Sequence, residues 1–205
     1  MIAMFILFDF DGVIANTFQT GFGVRKRISP SITEEEYRNL FLLNINDSLK
    51  EKAKLSDHNP NIDFFSEFRP GLMESPVFPS MKETIDFLAR KNSLLIISST
   101  TTDLIEEYLE MHELKHAFKG ILGNEVHASK SEKIKMVFEK YGVQAADCVF
   151  VTDTVGDINE AKQVGVPVIA VTWGYQDGAV LSGERPWKVV DTPGELIAEI
   201  ERLNS

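Results

Sequence analysis

Acidic residues stand where two apolar runs of this sequence end. Residues 5–8 are all apolar and lead directly into Asp9 and Asp11. A second apolar run, much later in the chain, leads into Asp153 and Asp157. A continuous apolar run is typical of a strand buried on both faces, and ligands bind at the carboxyl ends of such strands in an open α/β sheet. We therefore expect these carboxylates to belong to one site.

The spacing of Asp9 and Asp11 indicates a metal ion. Residues two apart in an extended chain point to the same side, so both side chains can face one site. Two carboxylates there repel each other unless a cation or a shared proton is present. Oxygen ligands of this kind suit Mg²⁺ rather than a soft metal. The pattern predicts a magnesium site.

The composition is that of an ordinary globular protein. The 205 residues are 43% hydrophobic and 25% charged, which allows one core, or a core with a small inserted module. The net charge of −10 argues against nucleic acid and against an anionic membrane surface as partners. The oligomeric state stays open.

The lone cysteine and the first residues of the chain indicate the cellular compartment. Cys148 rules out a disulfide framework, which fits a reducing cytoplasm, and its apolar neighbours indicate a buried, unreactive thiol. The hydrophobic first eight residues carry no basic leader and are too short to span a bilayer. We expect them to form a strand rather than a targeting signal, and we expect a cytoplasmic protein.

From residue 78 onward, short apolar runs alternate with amphipathic segments. The predicted strands are residues 94–97, 121–123, 149–152, 168–172 and 188–190. The predicted helices are residues 81–91 (behind a capping box at Ser80-Met81-Lys82-Glu83), 102–116, 131–141, 156–164 and a last one from Pro193. This alternation predicts a Rossmann-like α/β fold, a parallel sheet with helices on both faces.

Residues 15–77 break this rhythm. They contain helix-like stretches at residues 33–43, behind a capping box from Thr33 to Glu36, and at residues 47–55. Arg69-Pro70-Gly71 is predicted to be a turn. We expect a helical cap domain at residues 15–77, inserted into a core domain of residues 1–14 and 78–205. Its aromatic residues are expected to form the module's own core: Phe18, Phe22, Tyr37, Phe41, Phe64, Phe65 and Phe68.

Four separated sequence elements resemble the motifs of the haloacid dehalogenase (HAD) superfamily of phosphohydrolases, and they occur in that family's order. The elements are Asp9-Phe10-Asp11-Gly12-Val13, Ser98, Lys130 and Asp153-Thr154-Val155-Gly156-Asp157. The resemblance covers the whole chain and is to the subgroup with a helical cap after the first strand. In cap size and at residues 171–175 the chain looks most like phosphoglycolate phosphatases.

The resemblance implies hydrolysis of a phosphomonoester of a small metabolite through a covalent intermediate. Asp9 is the implied nucleophile, and a carboxylate can attack phosphorus to form an aspartyl-phosphate. Asp11 is then placed to protonate the leaving alcohol and later to deprotonate the attacking water. The expected reaction is that of a phosphatase.

The resemblance also implies the residues that bind phosphate. Gly12 lets backbone N–H groups approach the phosphate closely. Ser98 and the N–H of Ser99 hold a phosphoryl oxygen, and Lys130 neutralises charge on these oxygens in the transition state. Lys133 is a rival for that role, because the family's usual Lys-Pro pair is absent. Lys130 is preferred because it precedes the predicted helix.

Mg²⁺ is the implied cofactor. Its expected ligands are Asp9, the backbone carbonyl of Asp11, and Asp153. Asp157 lies in the first turn of a predicted helix, where it either reaches the ion through water or orients Lys130. Taken alone, Asp153 and Asp157 are also consistent with helix caps.

Two other sequence patterns could indicate a binding site. Residues 112–116 match the HExxH pattern of zinc proteases, but Leu122 occupies the position of the third ligand, and we expect no zinc site. Arg25, Lys26 and Arg27 form a dense basic run. The run either holds an anionic part of the substrate or, as we expect, forms a solvated face.

Three other functions depend on similar sets of acidic residues. A sugar phosphomutase would use the same Asp9 and Asp11 but return the phosphoryl group to the substrate. A receiver-type phosphoacceptor module also clusters acids, a Ser or Thr and a Lys around Mg²⁺, but its phosphorylated Asp follows a middle strand and it lacks a helical insertion. A dehalogenase is disfavoured, because Asp11 and Asp153 make sense only with an acid catalyst and a metal ion.

Overall fold

The centre of the molecule is a parallel sheet. A computed structural model of the chain describes residues 3–44 and 57–204, and its six strands have the order β3-β2-β1-β4-β5-β6, with every neighbouring pair parallel. The strands are β1 (Phe5–Phe8), β2 (Ser93–Ile97), β3 (Phe118–Leu122), β4 (Cys148–Thr152), β5 (Val168–Val171) and β6 (Lys188–Val190). The predicted α/β class is confirmed.

Helices alternate with these strands. Those of the described residues are α1 (Phe18–Ile28), α2 (Glu34–Asn39), α3 (Phe64–Glu74), α4 (Met81–Ala89), α5 (Thr102–Met111), α6 (Lys130–Tyr141), α7 (Val155–Gln163), α8 (Gly178–Gly183) and α9 (Pro193–Leu203). Helices α1, α2 and α3 lie between β1 and β2. None of α1, α3 and α8 was predicted from the sequence. No helix in the described part of the chain is long and apolar enough to cross a membrane.

Both faces of the sheet are covered, because successive side chains of a strand point to opposite faces. In β1, Ile6 and Phe8 pack into one apolar cluster, whereas Leu7 packs into another. Helices α4, α5 and α9 contribute to the first cluster, and α6, α7 and α8 contribute to the second. The apolar run at the start of the chain is therefore a strand without a solvent-facing side.

The chain enters and leaves the α1–α3 segment along two paired connections. Ala15 and Val77 form an isolated antiparallel bridge, and the N–H of Phe78 donates a hydrogen bond of 3.0 Å to the carbonyl of Ile14. The predicted domain boundaries coincide with this pairing. The division into core and cap domains itself stays a prediction.

The predicted start of α2 is confirmed in detail. Thr33 accepts a hydrogen bond from the N–H of Glu36, and the Glu36 side chain accepts one from the N–H of Thr33, which completes the capping box. A short 3₁₀ helix, Leu40–Leu42, follows α2. The helix predicted at residues 47–55 lies outside the described residues.

Two other local predictions are wrong. Ser80 has a left-handed backbone with φ of 63° and makes no side-chain cap hydrogen bond, so α4 begins where predicted but without a capping box. The turn predicted at residues 69–71 is part of α3. Burial of Phe68 and Leu72 outweighs the one helical hydrogen bond that Pro70 cannot donate.

The only cysteine of the chain tests the burial of β4. Cys148 is fully buried, and burial, with the neighbouring Asp147, raises the pKa of its thiol to about 12. Thiolate is the reactive form, so we expect Ellman's reagent at about pH 8 to label less than about a tenth of the native protein. Complete labelling is expected after unfolding in guanidinium chloride. Rapid stoichiometric labelling of the native protein would contradict the burial.

Candidate active site

The predicted site residues follow neighbouring strands. Asp9 follows β1, Ser98 follows β2 and Asp153 follows β4. Since β1 lies between β2 and β4 in a parallel sheet, these residues meet at one edge. Lys130 begins α6, and Asp157 lies in the first turn of α7. The fold thus brings together residues that are far apart in the chain.

A cavity of about 170 Å³ lies over this edge, between the sheet and the α1–α3 segment. Its lining includes six of the predicted site residues: Asp9, Asp11, Ser98, Ser99, Lys130 and Asp157. It also includes five of the aromatic residues that were expected to belong mostly to the core of the inserted module: Tyr37, Phe41, Phe64, Phe65 and Phe68. The inserted helices therefore form a wall of the cavity.

Lys130 forms a buried ion-pair network with two aspartates. Its Nζ lies 2.8 Å from Asp9 Oδ2 and 2.6 Å from Asp157 Oδ2. Thr152 Oγ1 donates a further hydrogen bond of 2.8 Å to Asp157 Oδ2. Burial alone would lower the pKa of Lys130, but Asp157 and Asp9 raise it well above its usual range. The side chain is therefore an ammonium ion at neutral pH.

The two aspartates of this network have different electrostatic settings. Burial would raise the pKa of Asp157, but Lys130 holds it below its ordinary value. Burial raises the pKa of Asp9, against the opposing effect of Lys130. The other oxygen of Asp9, Oδ1, accepts a hydrogen bond of 2.7 Å from the N–H of Phe10. Lys130 thus contacts both carboxyl groups, but its charge and the hydrogen bonds outweigh the effect of burial on the pKa only at Asp157.

Asp11 is held by two hydroxyl groups that the sequence analysis did not identify. Thr17 Oγ1 donates a hydrogen bond of 2.7 Å to Asp11 Oδ1, and Thr100 Oγ1 donates one of 2.6 Å to Oδ2. Removal from water raises the pKa of Asp11, as a proton donor requires. Thr17 Oγ1 also lies 3.0 Å from the hydroxyl of Tyr175. The polar run after β2 was a usable signal for Thr100, whereas Thr17 had none.

Asp153 is fully buried and has one oxygen without a partner. Its Oδ2 accepts a hydrogen bond of 2.6 Å from the N–H of Tyr175, whereas Oδ1 has no hydrogen-bond partner among the described residues. Burial raises the pKa of Asp153 to about 7. A Cβ at Gly12 or at Gly174 would overlap this carboxylate, so both glycines leave it room.

The surroundings of Asp153 fit the predicted Mg²⁺. A buried carboxylate oxygen without a partner is costly unless a cation binds it. In residues 3–44 and 57–204, no group of three or more His, Cys, Asp or Glu side chains is arranged to hold a metal ion. Mg²⁺ usually takes only one or two carboxylates, together with waters and substrate phosphate. An ion at Asp153 would therefore depend partly on ligands other than side chains.

Gly12 has a structural role in the loop after β1. Its N–H donates a hydrogen bond of 2.9 Å to the carbonyl of Ala15, so this amide already has a partner within the chain. Its φ of 76° lies in the left-handed region that glycine adopts readily. The residue is needed for this turn and for the space that Asp153 occupies.

The structure separates the two candidate lysines. Lys130 lines the cavity, whereas Lys133 Nζ donates a hydrogen bond of 2.8 Å to the carbonyl of Ser98. Burial, and then repulsion by Lys130, lowers the pKa of Lys133 to about 8. Lys133 thus supports the loop after β2 from behind the cavity.

Most of the chain matches the model of a known protein family. The model of the haloacid dehalogenase-like hydrolases matches residues 6–171. The chain belongs to this family. The predicted resemblance, including its likeness to phosphoglycolate phosphatases, is confirmed.

Individual relatives are distant in sequence. The phosphoglycolate phosphatase of Synechococcus elongatus is 25% identical over 97% of this chain and 97% of its own. That of Aliivibrio fischeri is 28% identical over 60% of this chain and 56% of its own. A haloacid dehalogenase-like hydrolase from Streptococcus pneumoniae has a TM-score of 0.78 at 19% identity, covering 97% of this chain and 98% of that chain. This last likeness shows a common fold.

Replacing Asp153 tests the buried carboxylate. Because its pKa is raised to about 7, the folded form holds its proton more tightly than the unfolded form. Its stabilising contribution is therefore full below about pH 4 and is lost as the pH rises to about 7. At about pH 8, without divalent cations, we expect Asp153→Asn to stabilise the fold by about 1–2 kcal/mol, or about 2–8 °C in Tm.

Magnesium provides the second half of this test. Added MgCl₂ should raise the Tm of the wild type at this pH but leave that of Asp153→Asn unchanged. Asp177→Asn changes the net charge equally at an exposed position and serves as the control. An equal magnesium-dependent rise in Asp153→Asn and the wild type would exclude Asp153 as an ion ligand.

Proposed function

We propose that this chain is a Mg²⁺-dependent phosphatase that hydrolyses a small phosphomonoester through an aspartyl-phosphate on Asp9. The observation that carries the proposal is the arrangement of Asp9, Asp11 and Lys130 around one cavity, with the unpartnered oxygen of Asp153 buried at the same edge of the sheet. Family membership supports hydrolysis of phosphoric monoesters.

The first step would transfer the phosphoryl group to Asp9. A carboxylate oxygen of Asp9 attacks phosphorus, and the bond between phosphorus and the alcohol oxygen breaks. Asp11, held by Thr17 and Thr100, gives its proton to the leaving oxygen. The raised pKa of Asp11 supports this role, because the carboxyl must arrive protonated.

In the second step Asp11 would act as a base instead of an acid. Water attacks the phosphorus of the aspartyl-phosphate, and Asp11, now ionised, accepts the proton of that water. The Asp9 carboxylate leaves and is restored, and inorganic phosphate is released. The pair therefore returns to its starting protonation after each turnover.

The remaining polar residues would stabilise charge. Lys130, oriented by Asp157, neutralises the phosphoryl oxygens as charge spreads over them. Ser98 and the N–H of Ser99, which line the same cavity, would contact a phosphoryl oxygen. Mg²⁺ would be held by Asp9, Asp153 and the carbonyl of Asp11, and would offset the negative charge of the phosphoryl group and of the carboxylates.

The substrate is a small phosphorylated metabolite. The cavity of about 170 Å³ is small beside sites for drug-sized ligands, and the curated relatives are phosphoglycolate phosphatases. We assign the helices of residues 15–77 the role of a cap that chooses the substrate and excludes water. The lone buried thiol and the acidic charge support a cytoplasmic enzyme without nucleic-acid or membrane partners.

Replacing the nucleophile tests the central claim. Asp9→Asn is nearly isosteric, and we expect it to lower phosphatase activity by at least about 1,000-fold, because the amide cannot form the phosphoenzyme. Phosphate release from a panel of metabolite phosphates, with and without Mg²⁺, is the measurement. Asp177→Asn should retain full activity. Turnover that persists in Asp9→Asn would remove Asp9 from this role.

The same panel separates the alternatives. A sugar phosphomutase would convert a hexose phosphate into its isomer without releasing phosphate. A phosphoacceptor module would keep a stable phospho-aspartate after treatment with acetyl phosphate and show no turnover. Free phosphate from the panel, without isomer, is the result expected here.

Two lysines of α6 provide a matched pair. Lys130→Gln should reduce kcat by about 100-fold or more, since it removes the cation beside Asp9. Lys133→Gln should reduce kcat less than about tenfold and mainly lower the Tm, because it leaves the Ser98 carbonyl without its donor. Similar losses of kcat in both variants would contradict the assignment.

The control for this pair concerns folding. Lys130→Gln leaves two buried carboxylates without their cation, which is destabilising. The double variant Lys130→Gln/Asp157→Asn removes one of these charges and should restore part of the Tm but none of the activity. Circular dichroism on each variant confirms that activity is compared between folded proteins.

A further inference from the structure

Arg25 is a buried cation in the wall of the cavity. It lies on α1 and is only 8% exposed, whereas the side chain of Arg27, two residues further on, is 52% exposed. Arg25 lines the cavity together with Asp9 and Asp11. The expectation that this basic run is a solvated face is therefore wrong for Arg25.

The guanidinium of Arg25 has no anionic partner among the described residues. Its Nε is buried and makes no hydrogen bond there, and no carboxylate of those residues forms an ion pair with it. Its neighbours are the ring of Phe64, whose centroid lies 5.2 Å from the guanidinium carbon, and Tyr37. Burial lowers its pKa. A charge buried in this way is costly unless an anion binds it.

The two cations of the cavity lining differ in this respect. Lys130 is already paired with Asp9 and Asp157 at the carboxyl edge of the sheet. Arg25 lies on α1, in the inserted segment, and has no anionic partner among the described residues. The lining therefore offers one cation where a phosphoryl group would react and a second cation, on α1, that no described carboxylate neutralises.

We propose that Arg25 is a specificity-determining residue of this site, which binds a carboxylate on the substrate while the phosphoryl group lies at Asp9. This inference rests on the proposed function. The planar guanidinium matches a carboxylate through two parallel hydrogen bonds. The small cavity restricts the second anion to within a few bonds of the phosphate.

A pair of substrates isolates this contact. The probes are 2-phosphoglycolate and 2-hydroxyethyl phosphate, which replaces the carboxylate with a neutral hydroxymethyl group. The variants are Arg25→Gln, Arg25→Lys and, as the matched control on the same helix, Arg27→Gln. Arg27 is exposed and pairs with Glu67 at 3.0 Å, so its replacement removes the same charge from outside the cavity.

The expected result is a selective change in KM. Arg25→Gln should raise KM for 2-phosphoglycolate by about 10- to 100-fold, the usual effect of losing a charge-assisted hydrogen bond, with a smaller change in kcat. KM for 2-hydroxyethyl phosphate should change less than about twofold. Arg25→Lys should show an intermediate KM because it keeps the charge without the planar geometry. Arg27→Gln should match the wild type.

Several results would overturn the proposal. These are a wild type that shows no preference between the probes, an Arg25→Gln variant that loses activity on both equally, and one that keeps the wild-type KM for 2-phosphoglycolate. The Tm of Arg25→Gln should fall little, because the variant removes a buried charge without an anionic partner among the described residues, and this offsets the lost contact with the ring of Phe64. A large fall in Tm would indicate a structural role instead.

Binding separates this inference from the proposed function. Calorimetric titration of Asp9→Asn and of Asp9→Asn/Arg25→Gln with 2-phosphoglycolate, in the presence of Mg²⁺, needs no turnover. If the wild type hydrolyses no compound of the metabolite panel, the proposed function fails, and the titration still decides the role of Arg25. Binding weakened by at least about tenfold in the double variant supports the carboxylate site, and equal or undetectable binding in both proteins overturns it.

Discussion

The balance of buried charge at the carboxyl edge of the sheet is the constraint on which the site depends. Asp9, Asp153 and Asp157 are buried there, with Lys130 as the cation in direct contact with two of them. One ammonium ion cannot neutralise all of these carboxylates. Asp153 is the carboxylate whose charge is not compensated: its pKa is raised to about 7, and its Oδ1 has no partner within the described residues. A divalent cation bound at Asp153, as proposed above, would offset this excess of negative charge.

The inserted helices give the site a second set of side chains. The core supplies the carboxylates and the lysine from strand ends and helix starts, whereas α3 supplies aromatic rings and α1 supplies Arg25, which has no anionic partner among the described residues. Arg38 connects the two parts, because its guanidinium donates a hydrogen bond to the carbonyl of Tyr175 and stacks on Phe18. Tyr175 in turn contacts Asp153 through its N–H and Thr17 through its hydroxyl. The position of the inserted segment is thereby linked to the groups that hold Asp11 and Asp153.

Much of the core could be predicted because its signals are local. Buried parallel strands appear as apolar runs, and their ends are marked by polar residues, so the strands that position Asp9, Ser98 and Asp153 were recognised. Helix ends were recognised where a local cap forms. The helix predicted at residues 131–141, for example, ends before Gly142, whose φ is 66°. Prediction failed where long-range packing overrides local preference, as at Pro70, which lies inside α3.

The sequence by itself determined the α/β alternation, the acids at the strand ends and the identity of the family, because each depends on residue type and spacing along the chain. Only the tertiary structure decided which groups face one another across the cavity. It placed Thr17 and Thr100 on Asp11, turned Lys133 away from the cavity and buried Arg25 without an anionic partner in the described part of the chain. These outcomes depend on how α1 and α6 pack over the sheet edge, and contacts between distant segments leave no periodic pattern in the chain.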